Sequence, residues 1–139
     1  MSIAFEAMVF ARDVHSTQVR KYTGNPYSDH LAEVAGIVST VAINSMQMQA
    51  VMIATAWLHD CIEDQDVVPA DLARRFGPDV QAGVLALSDL EIGNRAERKA
   101  ASRKRLAAAP WWVQTIKVAD LISNTSSIVQ HDPKFAVVY

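Results

Sequence analysis

The sequence predicts an all-α fold, a single helical bundle, on three observations. Apolar residues recur at spacings of three and four almost throughout, and no stretch alternates strictly enough to read as a strand. Pro69, Gly77, Pro78, Pro110 and Pro133 fall where helices should start or stop. With 139 residues, half of them hydrophobic, the chain can bury one core but is too short for two. Residues 1–139 are therefore expected to form one domain, with no repeat, low-complexity tract or long linker.

Ala4, Ala7, Met8, Ala11 and Val14 make a first apolar stripe that ends near His15. Gly24, Asn25 and Pro26 are turn chemistry and make residues 18–29 a loop. Leu31, Val34, Ala35 and Val38 belong to a second helix, with Asp29 as its expected cap. The third helix, the most apolar, is expected from Met46 to Glu63, with Met46, Met48 and Met52 packed in the core. Pro69 suits the first turn of a short helix stopping at Gly77, and Pro78 opens another that carries Val80, Val84 and Leu87. After a loop at Gly93 and Asn94, a basic, Ala-rich helix runs from Arg95 to Ala109. Trp111 and Trp112 read as core and helix-start residues of a helix that reaches Val129, with Val113, Ile116, Leu121 and Ile128 inward. Pro133 begins the last segment.

Composition excludes several classes. A net charge of −2 gives no reason to expect non-specific binding to nucleic acid or anionic membrane. The longest basic stretch, Arg95 to Arg105, is diluted by Glu97 and reads as a solvated helix face. No apolar run reaches the roughly 18–20 residues of a membrane helix, and no basic segment precedes an apolar one at the N-terminus. Cys61 is the single cysteine, so no internal disulfide forms, which fits a reducing cytoplasm. On an apolar face its thiol reads as inert. The pattern is compatible with a monomer or an oligomer.

The chemistry concentrates between Trp57 and Asp64, where His59-Asp60 and Glu63-Asp64 interrupt an apolar helix. Unpaired charge there is costly, and a divalent cation is the simplest partner that would favour His59 and Asp60. At about 100° per residue, His59 lies over Glu63 and Asp60 over Asp64, so one face could offer two ligands and two proton-handling carboxylates.

Other segments supply further candidates. His30 opens a helix after Pro26-Tyr27, as a cap or as a ligand. Asp120 interrupts another apolar helix, with Asn124 one turn later and Lys117 as an alternative ion-pair partner. His15 reads as a polar helix-end residue and His131 as a solvated turn residue. Arg20-Lys21 would by default be a surface pair. His30, His59, Asp60 and Asp120 together make a mixed imidazole and carboxylate set that suits Mn²⁺, Fe²⁺ or Zn²⁺.

Read in order, these pieces resemble a known family. The run from His15 through Gln18, Arg20, Lys21, Gly24, Pro26 and Tyr27 to His30 is similar to the opening signature of the HD-superfamily alarmone hydrolases. The likeness continues through His59-Asp60 and Glu63-Asp64, Phe76-Gly77, Leu87 to Asp89, Glu97 to Lys99, and Lys117 to Asn124. It implies an HD-domain helical bundle that removes the 3′-pyrophosphate of ppGpp or pppGpp. It implies Mn²⁺ at His30, His59, Asp60 and Asp120, and Glu63 with Asp64 as the pair that activates water. Arg20, Lys21, Tyr27, Asn124 and, more loosely, Arg95 match residues at the nucleotide.

Leu90 follows Asp89 where many relatives carry a second acid, and Gly93-Asn94 replaces a more regular loop. The chain also stops at Tyr139, before the closing helix these proteins commonly carry, and a synthetase region is absent, so nucleotide synthesis is not expected. The alternatives are an HD phosphohydrolase of another nucleotide, such as NADPH at its 2′-phosphate or a dNTP, and a non-catalytic alarmone-binding domain. Retention of all six candidate ligand and acid residues argues against the second.

Overall fold

A computed structural model describes residues 2–139, and among them every regular element is helical. The order is α1 (Ile3–Val14), α2 (Ser28–Ser39), α3 (Met46–Leu58), α4 (Cys61–Gln65), α5 (Pro69–Phe76), α6 (Pro78–Leu87), α7 (Arg95–Ala107), α8 (Trp111–His131) and α9 (Pro133–Val138). The loop after α1 is pinned by an isolated antiparallel bridge between Val19 and Pro26. No helix among the described residues is long and apolar enough to cross a membrane.

α3 is the axis of the bundle. Val51, Met52 and every residue from Ala54 to Leu58 are buried, as expected of a helix that is apolar all round. α1, α2, α6 and α8 pack around it. Against α6 the fit is close. A Cβ on Gly83 would stand 2.6 Å from the Trp112 ring and 2.9 Å from Thr55 Cγ2, so only glycine lets α6 and α8 approach α3 this tightly.

Helix ends follow local chemistry. Ser2 and Ser45 accept from the amides of Phe5 and Met48, and Asn94 makes a reciprocal capping box with Glu97. Pro69 and Pro78 open α5 and α6, and Gly77, at φ +96°, joins them in a conformation few other residues adopt.

Several expectations are corrected. α2 starts at Ser28, with Tyr27 rather than Asp29 at the cap position and Asp29 inside the first turn. Met46 is 89% exposed because it stands at the free tip of α3, whereas Met52 is fully buried. Trp111 and Leu121 face out, while Trp112 carries the packing against Gly83. α7 stops two residues earlier than expected and α8 extends through His131, so that histidine is helical and not in a turn.

The main correction concerns the third helix. It breaks at His59-Asp60, and α4 begins anew at Cys61. The cause is chemical, for His59 Nδ1 lies 2.7 Å from the Ala56 carbonyl that a continuous helix would give to the Asp60 amide. Asp60 then takes φ −100° and ψ −1°, and its carbonyl accepts from the Asp64 amide to start the next turn.

Candidate metal centre and active site

Adjacent residues of a continuous helix point about 100° apart, so they cannot meet over one point. The break removes that restriction. His59 Nε2 lies 3.0 Å from Asp60 Oδ2 and 3.3 Å from Asp120 Oδ1. From α2, His30 Nε2 stands 3.2 Å from Asp120 Oδ1 and 3.6 Å from Asp60 Oδ2. Ligand atoms of His30, His59 and Asp60 fall within 4.8 Å of one another, and Asp120 approaches both imidazoles from α8.

These groups suit a divalent cation. Both Nε2 atoms are buried and, despite the nearby carboxylates, neither makes an aligned hydrogen bond. Each Nδ1 is already engaged. That of His59 faces the Ala56 carbonyl and must carry the proton, and that of His30 lies 2.8 Å from Ser123 Oγ. Both Nε2 atoms therefore point inward, the side that a metal-binding histidine turns to its ion while its other nitrogen orients the ring. The carboxylates are oriented too. Tyr27 donates to Asp60 Oδ2 at 2.6 Å, Lys117 to Asp120 Oδ2 at 2.9 Å, and Asn124 to Asp120 Oδ1 at 3.0 Å. Lys117 and the histidines thus share Asp120.

Charge is poised accordingly. Burial alone would raise Asp60 and Asp120, but the imidazoles, with Lys117 at Asp120, hold both well below the usual carboxylate range. Burial alone would lower His59, yet Asp60 and Asp120 carry it well above its ordinary value. Burial, with Asp60 beside it, pushes the Tyr27 hydroxyl up, so it stays a donor.

Glu63 and Asp64 stand at the mouth of this centre. They line a cleft of about 180 Å³ together with Tyr27, Asp60, Asp120 and Asn124. Glu63 Oε1 accepts the backbone N–H of Asp89, and Asp64 Oδ2 accepts from Gln18 at 3.1 Å. Burial pushes Glu63 up to about 7, partly offset by the Asp89 amide and reinforced by Asp60. Asp64 is also raised, by burial and then by Asp60. Because α3 ends before them, the two acids sit on a separate helix from His59, whereas Asp64 stays one turn on from Asp60, whose carbonyl its amide reaches at 2.9 Å.

The basic candidates divide. Arg20 donates to Asn124 Oδ1 at 2.9 Å and lies 3.4 Å from Ser123 Oγ, so it joins the centre through Asn124. Lys21 is exposed, its ammonium 5.2 Å from the Tyr22 ring. Arg95 lies over Phe135, 5.7 Å from the ring centroid, and lines a cavity of about 730 Å³ with Arg103, Leu106 and Leu121. Lys99, Lys117 and Tyr139 border both this cavity and the acidic cleft, so a ligand could bridge them.

Residues outside the predicted set also contribute. His15 is buried, contrary to the helix-end reading, and stacks on Tyr27 at 5.3 Å. Its Nδ1 lies 2.7 Å from Gln18 Oε1, linking it to Asp64. His131, exposed at the end of α8, stacks on Tyr22 at 5.7 Å. Arg105 departs furthest from a solvated α7 face, since it pairs with Asp89 and Glu91, and Lys99 stands 4.0 Å from the same Asp89. Lys99 lies in the stretch from Glu97 to Lys99 that carries the family likeness, but within a basic run nothing marked it for the cleft.

Known proteins share this arrangement of sequence and fold. The HD domain family matches residues 7–135. The guanosine-3′,5′-bis(diphosphate) 3′-pyrophosphohydrolase of Vibrio cholerae is 36% identical over 116 residues, 81% of this chain and 15% of that protein. The guanosine-3′,5′-bis(diphosphate) 3′-pyrophosphohydrolase MESH1 of Drosophila melanogaster is 31% identical over 129 residues, 92% of this chain and 70% of that one. The solved structure of a metazoan orthologue of SpoT that hydrolyzes ppGpp superposes with a TM-score of 0.83 at 28% identity, covering 95% of this chain and 73% of that chain. The chain spans only 15–18% of the length of the bacterial relatives. With a match over almost all of its helices, this chain belongs to the HD domain family, close to the metazoan ppGpp hydrolases.

Proposed function

We propose that this chain is a Mn²⁺-dependent 3′-pyrophosphohydrolase of ppGpp and pppGpp, releasing pyrophosphate and leaving GDP or GTP. The observation that carries the reading is the meeting of two unpartnered imidazole nitrogens with two carboxylates beside a pair of raised acids. His30, His59, Asp60 and Asp120 would hold the cation. Mn²⁺ fits a mixed nitrogen and oxygen set better than a thiolate-seeking metal would, with Fe²⁺ or Zn²⁺ as substitutes. When bound, the ion lowers the pKa of water and offsets charge developing on phosphorus.

The chain's own residues supply the rest. Glu63, poised near 7, accepts the proton of the attacking water, and Asp64, held by Gln18, keeps that water oriented. Water oxygen bonds to the phosphorus carried on the 3′ oxygen, in line with that oxygen, and the bond from phosphorus to the 3′ oxygen breaks. The 3′ oxygen leaves by taking a proton from solvent water, and Glu63 returns to solvent the proton it took from the attacking water, so the step balances. Lys99 and Lys117 border the cleft where phosphate charge accumulates, and Arg95 and Arg103 extend that field into the larger cavity. Arg20, Lys21, Tyr27 and Asn124 are assigned to the nucleotide side, where Arg20, Lys21 and Asn124 share a smaller cavity with Tyr139. A cytoplasmic setting accords with the buried, unpaired thiol of Cys61.

Metal analysis of the purified chain, with product identification from ppGpp in the presence of Mn²⁺, tests the proposal. GDP and pyrophosphate are expected. Turnover of NADPH or a dNTP without release of GDP from ppGpp would overturn the substrate assignment.

A further inference from the structure

Arg105 sits on α7, on a helix whose other arginines and lysines lie in water, yet its side chain is only 24% exposed. Its guanidinium reaches three points on one side. Nε donates to the Ala86 carbonyl at 2.9 Å, Nη2 donates to Asp89 Oδ1 at 2.6 Å, and Nη1 pairs with Glu91 Oε1. Ala86 is near the end of α6, and Asp89 and Glu91 belong to the loop that follows it.

Apolar packing does little for that loop, because Leu90 is 54% and Ile92 98% exposed. Its fixed point is therefore electrostatic. A guanidinium supplies a planar fork that one side chain can extend to several acceptors, whereas an ammonium is a point charge. The loop reaches the cleft at Asp89, which helps to line it beside Lys99 and whose backbone N–H donates to Glu63 Oε1.

We infer that Arg105 is a positioning residue for the reaction. By clamping Asp89 and Glu91 to the end of α6, it aims the Asp89 N–H at Glu63 and fixes where the second oxygen of that carboxylate can meet water. Release of the clamp leaves Glu63 free to turn, and a displacement near 1 Å costs about 100-fold in rate. This inference rests on the reading of Glu63 as proton acceptor.

The test uses the full chain loaded with Mn²⁺ and follows pyrophosphate release from ppGpp. Arg105→Gln and Arg105→Lys are expected to lower kcat by about 10- to 100-fold, with KM and metal content unchanged. In a Glu63→Gln background the same changes should cost less than about 2-fold, because the group they position is already gone. Arg105→Lys keeps the charge beside Asp89 and carries the test if Arg105→Gln does not fold. A second readout needs no turnover: with diamagnetic Zn²⁺ in place of Mn²⁺, the ¹³C signal of the Glu63 carboxyl should titrate at a different midpoint in Arg105→Lys. Equal losses in both backgrounds, or an unmoved Glu63 titration, overturn the inference. If the unaltered chain releases no pyrophosphate from ppGpp, the functional reading fails by itself, and the carboxyl titration alone decides the link from Arg105 to Glu63.

Discussion

The Tyr27 hydroxyl donates to Asp60 Oδ2 at 2.6 Å, tying the loop before α2 to the break between α3 and α4. The bond makes Tyr27 a residue that sets the direction of a candidate ligand. Tyr27→Phe is therefore expected to leave the fold intact and weaken Mn²⁺ binding by about 10- to 100-fold. Titration with a competing chelator measures it, and an unchanged affinity would remove Tyr27 from the support of Asp60.

Ligand and proton acceptor should separate cleanly. Asp60→Ala is expected to abolish both bound metal and turnover. Glu63→Ala should keep its metal while losing about 10²- to 10⁴-fold in kcat, the usual contribution of a general base. Metal content and single-turnover rates on the same preparations distinguish the two, and wild-type activity in either variant would refute its role.

Glu63 also makes a pH prediction. Its folded value of about 7 lies above the ordinary 4.5, so between those limits the folded state binds more protons than the unfolded. Stability from this group is present below the unfolded value and is lost as pH rises through the folded one. With a chelator present, the unaltered chain should lose melting temperature relative to Glu63→Gln between about pH 5 and pH 8. Added Mn²⁺ should shrink the difference, since a nearby cation favours the ionised carboxylate. Parallel melting curves would contradict the assignment.

Gly83 offers a test of packing. Glycine to alanine inside a helix ordinarily gains about 1 kcal/mol. Here the new methyl would meet the Trp112 ring at 2.6 Å and Thr55 Cγ2 at 2.9 Å. Gly83→Ala should instead destabilise by about 1–3 kcal/mol in urea denaturation, and a gain would show that the indole can move aside.

What could be read from the chain depended on how local the cause was. His59, Asp60 and Asp120 stand out because charge in an apolar helix demands a partner. Pro69, Gly77 and Pro78 mark helix ends by backbone chemistry alone. The break at His59-Asp60 has no such mark, because a side chain makes it by taking the Ala56 carbonyl. Arg105 resembles its exposed neighbours on α7, and only the approach of the α6–α7 loop gives it partners. Leu121 has the inward spacing of a core residue but lines the cavity beside Tyr139.

The four ligand candidates come from α2, from the junction after α3, and from α8, segments far apart in the chain. An ion seated among them would act as a staple across the whole bundle, drawing its first and last thirds together. Loading and folding would then share one free energy, as they do in small metalloproteins. The melting temperature would rise with the logarithm of free Mn²⁺, making cellular supply of the metal a determinant of how long this protein survives as well as how fast it works.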